Sequence, residues 1–183
     1  MKTKTINLYS FNELSDEAKQ FALNKYRYSQ VSWDSEWDMF VIEECVNILK
    51  ENGFDNAKIY YSGFYSQGDG ASFDADIDLE KFLTPNEREA LNGIDISWEI
   101  YRISHQYVHE LSRSIDYCGE HYPEEFESMI ESITQRIEAS RLSSCKEVYR
   151  ILGKEYDYLV SDECLIARFI EMGDDFLETG KFY

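Results

Sequence analysis

Two stretches of strict alternation organise the chain. From 57 to 65 the apolar or small residues fall at odd positions, Ala57, Ile59, Tyr61, Gly63 and Tyr65. From 71 to 79 they fall at Ala71, Phe73, Ala75, Ile77 and Leu79. A period of two is what a half-buried strand requires, since successive side chains leave opposite faces. Between the two runs, Ser66, Gln67, Gly68, Asp69 and Gly70 supply the residue types that turn a chain tightly. The pattern predicts a β-hairpin. A two-residue Asp69-Gly70 turn would pair odd positions with even ones and throw an apolar row to the wrong face. An odd loop, 68–70 or 66–70, keeps both rows together. The longer version pairs Lys58 with Asp78 and lays Phe73 beside Gly63. The opposite, wet face then carries Tyr60, Ser62, Phe64, Ser72, Asp74, Asp76 and Asp78. Phe64 is out of place there, and either packs under a helix or belongs to a binding surface.

Elsewhere the period shifts toward 3.6. After a short strand at 5–9, Ser15 is placed to cap a helix, with Asp16 and Glu17 in the first turn, where the helix dipole favours anions. Ala18, Phe21, Ala22 and Tyr26 form its stripe. A second helix starts near Trp33, with Trp37, Phe40, Val41, Ile48 and Leu49 at helical spacing and Asn52-Gly53 as its stop. Thr84-Pro85-Asn86-Glu87 is a capping box with Pro at the first helical position, and Gly93 keeps that helix short. Pro123 opens a long helical region whose seam runs Phe126, Ile130, Ile133, Ile137, Cys145, Val148, Tyr149, Leu152, Tyr156 and Leu159, with a bend expected around Ser143-Ser144. Ser161 caps a last helix ending at Gly173, and 176–183 forms an edge strand or terminal hairpin.

Residues 94–117 fit both periods. Their β-branched and aromatic content favours two strands added to the hairpin, turning near 104–106. The fold class expected is α+β, an antiparallel sheet built around a central β-hairpin and packed with several amphipathic helices. No linker, repeat or low-complexity tract appears, so a single domain over 1–183 is expected.

Composition narrows the chemistry. The 183 residues carry 36 acidic and 18 basic side chains, a net charge of −18, with 15% aromatic residues. Such aromatic content belongs to a folded protein rather than an acidic disordered tail. Direct nucleic-acid binding is disfavoured, because phosphate contact needs Lys and Arg gathered on one face. Cys45, Cys118, Cys145 and Cys164 show no CxxC pair, no apolar signal segment follows the N-terminus, and no run is long enough to span a bilayer. A reduced, cytoplasmic protein without membrane attachment is expected, with homo-oligomerisation left open.

Most catalytic motifs are missing. His105 and His109 lack the Glu that HExxH places after the first His, for Gln106 stands there. A zinc site from Cys118, His121 and His109 has weak spacing, and no metal or cofactor is expected. Asp74, Asp76 and Asp78 stand about 7 Å apart along one strand face, too far apart to cage one cation. No GxSxG elbow, phosphate loop or Cys with a placed base occurs. The Gly68-Asp69-Gly70 turn has backbone amides able to cradle an anion. With neighbours that offer stacking faces and hydrogen bonds, it defines a candidate ligand site of Tyr65, Ser66, Gln67, Gly68, Asp69, Gly70, Ser72, Tyr107 and His109.

Three segments carry a family likeness: Phe11-Asn12-Glu13-Leu14-Ser15-Asp16-Glu17-Ala18-Lys19, the run from Ser62 to Phe73 reading SGFYSQGDGASF, and Tyr156-Asp157-Tyr158-Leu159-Val160-Ser161-Asp162-Glu163. Together they resemble a group of small acidic proteins carried by tailed bacteriophages. The SGFYSQGDGASF run is the most specific part, and Tyr107-Val108-His109-Glu110 is similar to an aromatic–His–Glu segment of that group. The resemblance implies a non-catalytic accessory protein, not an enzyme, acting in the bacterial cytoplasm against host defences. It transfers no catalytic residues. Two mechanisms are expected to compete. In one, the Gly-bearing loop sequesters a small ligand, a nucleotide immune signal being the candidate, and needs Lys58, Arg102 or Arg113 near the phosphates. In the other, the carboxylate-rich surface imitates DNA and occupies a basic host protein.

Overall fold

The computed structural model describes residues 5–32, 36–104, 108–119 and 122–183. It is α+β: five α-helices, α1 (Asp16–Tyr26), α2 (Met39–Glu51), α3 (Pro85–Ala90), α4 (Glu127–Leu159) and α5 (Asp162–Glu171), stand with two hairpins, β1 (Phe54–Tyr61) with β2 (Ala71–Ile77) and β3 (Ile96–Arg102) with β4 (Arg113–Gly119). Among the described residues no helix is long and apolar enough to cross a membrane. The contacts group the chain into two compact units, 1–38 with 154–183, and 39–153.

The first unit is an aromatic cluster. Ser15 caps α1 as its position dictates, its hydroxyl accepting from the Ala18 amide, and Ser161 does the same for α5 through Cys164. Phe11, Leu14, Ala18, Ala22, Leu23, Leu165, Phe169 and Phe176 are buried together. Phe169 sits among Phe11 at 5.3 Å, Phe176 at 5.3 Å and Phe182 at 5.7 Å. Phe21, expected in the stripe of α1, is instead 40% exposed and Leu23 takes its place. The strand expected at 5–9 reduces to a single antiparallel bridge, Tyr9 with Phe176, and the C-terminal residues close a small turn through a bridge of Phe176 with Phe182. That turn depends on Gly180, whose φ is +80° and where a Cβ would lie 2.2 Å from the Ala18 carbonyl oxygen.

The second unit holds both hairpins. Gly53, at φ +92°, ends α2 and starts β1. Trp33, the expected start of that helix, lies outside the described residues. The capping box at Thr84 and Glu87 forms with both reciprocal bonds and Pro85 at the first position. α4 continues unbroken through Ser143 and Ser144, where a bend was expected. Along its seam Ile130, Ile133, Ile137, Cys145, Val148 and Leu152 are buried, and so is Arg141. A charged residue therefore fills the step that the apolar spacing skips.

The strands of 94–117 exist, but they pair with each other and not with the first hairpin. The register runs from Ile96 opposite Gly119 to Arg102 opposite Arg113. His109 and Leu111, expected in the second strand, lie outside it: His109 caps a 3-10 turn over Glu110–Ser112. The turn residues His105 and Gln106 lie outside the described residues. The reason for the shorter strands is local, because His109 Nδ1 accepts from the Leu111 amide at 3.1 Å and closes a turn before extended pairing can start.

A bidentate ion pair ties α3 to α4. Arg136 donates to both Glu87 carboxylate oxygens at 2.9 and 3.0 Å and to the Phe82 carbonyl. These bonds hold the Glu87 carboxyl down, from 4.5 to about 2, with Arg136 as the largest cause. An acid depressed by folding stabilises the native state above its unfolded value, and that contribution is lost as pH falls toward the folded one. Glu87→Gln is therefore expected to be less stable than the parent near neutrality, with the gap closing between about pH 4.5 and about pH 2. Urea titrations across that range measure it, and a gap independent of pH would contradict the assignment.

Candidate functional site

The first hairpin has odd-to-odd pairing near its turn, as the pattern requires, but a longer loop. Tyr61 opposes Ala71, Tyr60 opposes Ser72, Ile59 opposes Phe73 and Lys58 opposes Asp74. Lys58 thus faces Asp74 and not Asp78, and Phe73 lies beside Ile59 and not Gly63. The loop occupies 62–70, with Ser62 donating from its amide to the Gly70 carbonyl at 3.1 Å. A bulge at Asn56, φ +52°, shifts the register by one and brings Phe54 onto the face of Phe73, where the two rings meet at 5.0 Å. Strand periodicity beginning at Ala57 could not show this.

The expected wet face is not wet near the turn. Ser72 is fully buried, and Arg113, first residue of β4, lies over it at 2% exposure. The guanidinium makes two bonds to the Asp74 carboxylate, donates to the Ser72 hydroxyl at 2.7 Å, and stacks on the Tyr60 ring at 4.5 Å from its centroid. The Arg113 bond lowers the Asp74 carboxyl below its usual range. Asp76 accepts from the Asn56 side chain at 2.7 Å, and Asp78 caps the 3-10 turn at Leu79–Lys81. Each of the three aspartates therefore has its own separate partner.

The loop is braced from within. Asp69 Oδ2 accepts from the amides of Tyr65 at 3.0 Å and Ser66 at 2.7 Å, while its own amide donates to the Ser66 carbonyl. Of the amides expected to cradle an anion, that of Asp69 is taken by the Ser66 carbonyl and that of Gly70 by the Ser62 hydroxyl, an Asx turn winning over an open nest. Phe64 stacks between Tyr61 at 5.7 Å and Tyr149 of α4 at 5.6 Å, and the Tyr149 hydroxyl donates to the Gly63 carbonyl at 3.2 Å. Phe64 is thus a packing residue under α4.

A second segment meets the base of this loop. The Ser62 hydroxyl donates to the Val108 carbonyl at 3.0 Å and accepts from the Gly70 amide at 3.2 Å. His109 packs on Gly70 so closely that a Cβ there would stand 2.7 Å from the His109 Cβ. Arg141 donates to the Glu110 carbonyl at 2.9 Å while paired with Glu138, anchoring the segment to α4. Of the predicted site residues, Tyr65, Ser66, Gln67 and Gly68 are exposed, with Tyr65 at 77%, and His109 is half-buried beside them at the loop base. Asp69 is half-buried as the loop's own brace, and Gly70 and Ser72 are buried, out of a ligand's reach. Tyr107 lies outside the described residues. Arg141 has no periodic signal to mark it, and Arg113, expected as a cation near a ligand's phosphates, is instead buried and holds the site together. An aromatic and an acid together on a supposed wet face, Tyr60 and Asp74, were the sequence clue to a covered cation.

Burial is the leading cause that pushes the Cys45 and Cys145 thiols up to about 11, which leaves them poor nucleophiles. Among the described residues no group of three His, Cys, Asp or Glu is placed to hold a metal. His105 and His121 lie outside them.

A family model described as a domain of unknown function (DUF8835) matches residues 37–162. The chain belongs to the DUF8835 family. The matched stretch contains both hairpins, the 62–70 loop and the 108–113 segment, so the candidate face is a feature of the DUF8835 region itself. No curated protein and no solved structure matches the chain.

The two halves of the Arg113–Asp74 pair respond differently to deletion, because Arg113 is at 2% side-chain exposure and Asp74 at 47%. Asp74→Ala strands a buried guanidinium and is expected to cost about 3–5 kcal/mol. Arg113→Met leaves a half-hydrated carboxylate and should cost clearly less. Chemical denaturation gives both values, and equal costs would show that the pair is not asymmetric in burial.

Proposed function

We propose that this DUF8835 protein is a non-catalytic binding protein that takes up and holds a small ligand on the face where the 62–70 loop meets the 108–113 segment. One observation carries the reading. Stretches some forty residues apart in sequence are pinned to each other by Ser62 with Val108, His109 with Gly70, and Arg113 with Ser72 and Asp74, while the tip at Tyr65–Gly68 stays exposed. A braced loop with exposed aromatic and amide side chains is a preorganised recognition surface, which loses little entropy on binding. The likeness to phage proteins supplies the context, sequestration of a defence signal inside a bacterial cell.

A second reading is favoured by a different observation, the fate of the arginines. Arg27, Arg88, Arg113, Arg136, Arg141 and Arg150 are in ion pairs, Arg168 donates to Ser29, and Arg102 lies over Tyr60. All eight arginines of a chain with net charge −18 are thus engaged within the protein. The field offered to a partner is then dominated by carboxylates, which suits a basic host protein.

Mass spectrometry of small molecules released by denaturing protein purified from phage-infected bacteria tests the first reading. A bound ligand is expected, and Tyr65→Ala should lose it with the thermal midpoint little changed, since the side chain is exposed, while Gly68→Val should lose it with a lowered midpoint, since φ at Gly68 is +92°. Protein that releases nothing would end that reading. If the basic-partner reading holds instead, a captured host protein should dissociate steeply as salt rises from about 0.1 M to 0.5 M. Capture indifferent to salt would count against it.

A further inference from the structure

Among the described residues, the β3–β4 hairpin leaves one face uncovered. Trp98, Ile100, Arg113 and Ile115 alternate inward, buried or half-buried, and Trp98 donates to Thr134 of α4 at 2.8 Å. The alternate positions Ser97, Glu99 and Tyr101 are all exposed and stand opposite Cys118, Asp116 and Ser114. Such a face is ordinarily polar, with opposite charges paired across it. This one departs on both counts. Glu99 and Asp116 are direct cross-strand partners, a like-charge pair whose Cβ atoms stand about 5.5 Å apart. Among the described residues neither is in an ion pair, and the hairpin's own arginines, Arg102 and Arg113, lie on the opposite face over Tyr60. Tyr101 stands next to the pair. Ile103 and Leu111 follow at the same end, on either side of the bond from the Ile103 amide to the Ser112 carbonyl at 2.9 Å. All three apolar side chains are exposed. The fold gains from neither departure.

We propose that this open face is a docking surface for a basic protein, which sets an arginine or lysine between Glu99 and Asp116 and an apolar side chain on Tyr101 and Ile103. Charge complementarity selects that partner. A cation between the two carboxylates turns one repulsion into two attractions, and a net charge of −18 draws a basic protein from a distance. An exposed tyrosine with an apolar neighbour supplies the anchor area that charges alone lack. Glu99, Asp116 and Tyr101 leave the same side of one small sheet, so a single partner meets all three. The Asp116 carboxylate is also held in place, its Oδ1 accepting from the Tyr117 amide at 2.9 Å. That bond occupies one outward amide of β4, and Glu138 occupies another, that of Ile115, at 3.1 Å. The partner therefore meets side chains on the face and does not add a strand at that edge. The inference rests on the basic-partner reading above, not on the small-ligand reading, and gives it a place on the molecule.

NMR titration at low salt with the peptide acetyl-Arg-Ser-Leu-Ser-Arg-Ser-Leu-amide tests it. Alternate residues of an extended peptide lie about 7 Å apart on one side, the spacing of Glu99 and Tyr101 along β3. Shifts should concentrate in 97–103 and 114–118, and a version with Gly in place of Leu should bind more weakly. Glu99→Gln with Asp116→Asn should weaken binding about fivefold, and Glu124→Gln with Glu125→Gln, an exposed acidic pair outside the hairpin, by less than about twofold. Because the first pair repels itself, its double variant should keep a thermal midpoint at or above the parent's. Absent binding, shifts scattered over the acidic surface, equal weakening by the two double variants, indifference to Leu or a lowered midpoint would each overturn the face. If a basic host protein is captured equally by the parent and by the Glu99→Gln, Asp116→Asn variant, the basic-partner reading stands and this face falls. If the peptide maps here but no basic host protein is captured, the face stands as a basic-peptide surface and that reading falls.

Discussion

The guanidinium of Arg113 is the constraint around which the second unit is arranged. Burying a charge costs several kcal/mol unless every donor finds an acceptor and the charge finds its opposite. Arg113 meets that demand only if Tyr60, Ser72 and Asp74 share a face, which the observed pairing provides. A slip of one residue would present Phe73 and Ala71 to the guanidinium and leave it without an acceptor. The ion pair thus fixes the strand register that hydrophobic alternation alone specifies only by parity. It also joins two hairpins that share no backbone ladder.

Arg141 repeats the device on the other side. Lying in the apolar seam of α4, it pairs with Glu138 and reaches the Glu110 carbonyl, while Glu138 also accepts from the Ile115 amide at 3.1 Å. The 108–113 segment is thereby held at Val108, Glu110 and Arg113 by three different elements. Such over-determination keeps His109 against Gly70 and gives the loop base a single shape. Arginine suits both places because its fork satisfies several acceptors at once and its charge cannot be shed on burial. In a chain so rich in acids, the arginines serve mostly as internal fasteners.

Local signals were legible in the sequence where one residue type does one physical job. Ser15, Ser161 and the Thr84 box cap the helices expected of them, Gly53 stops α2, and the two alternating runs pair with the right parity. What the sequence hid were features decided between elements. The length of the loop depended on Asp69 folding back onto the Tyr65 and Ser66 amides, and the bulge on Asn56 accepting a positive φ. The covered face depended on an arginine 41 residues beyond Ser72. Tyr65, Gln67 and Gly68 are exposed at the tip, but Ser72 and Gly70 had been set on the accessible side of a surface that Arg113 and His109 cover.

The hydrogen exchange of the Arg113 side chain tests the central claim most directly. Arg88 and Arg150 serve as internal references, each paired with a glutamate but at 49% side-chain exposure. In nitrogen–proton NMR spectra the Arg113 Nε–H should persist and exchange at least about a hundredfold more slowly than theirs, because it is shut away from water between the two hairpins. An Arg113 Nε–H exchanging as fast as those of Arg88 and Arg150 would mean that the guanidinium is solvated, and the joint that defines the candidate face would not exist.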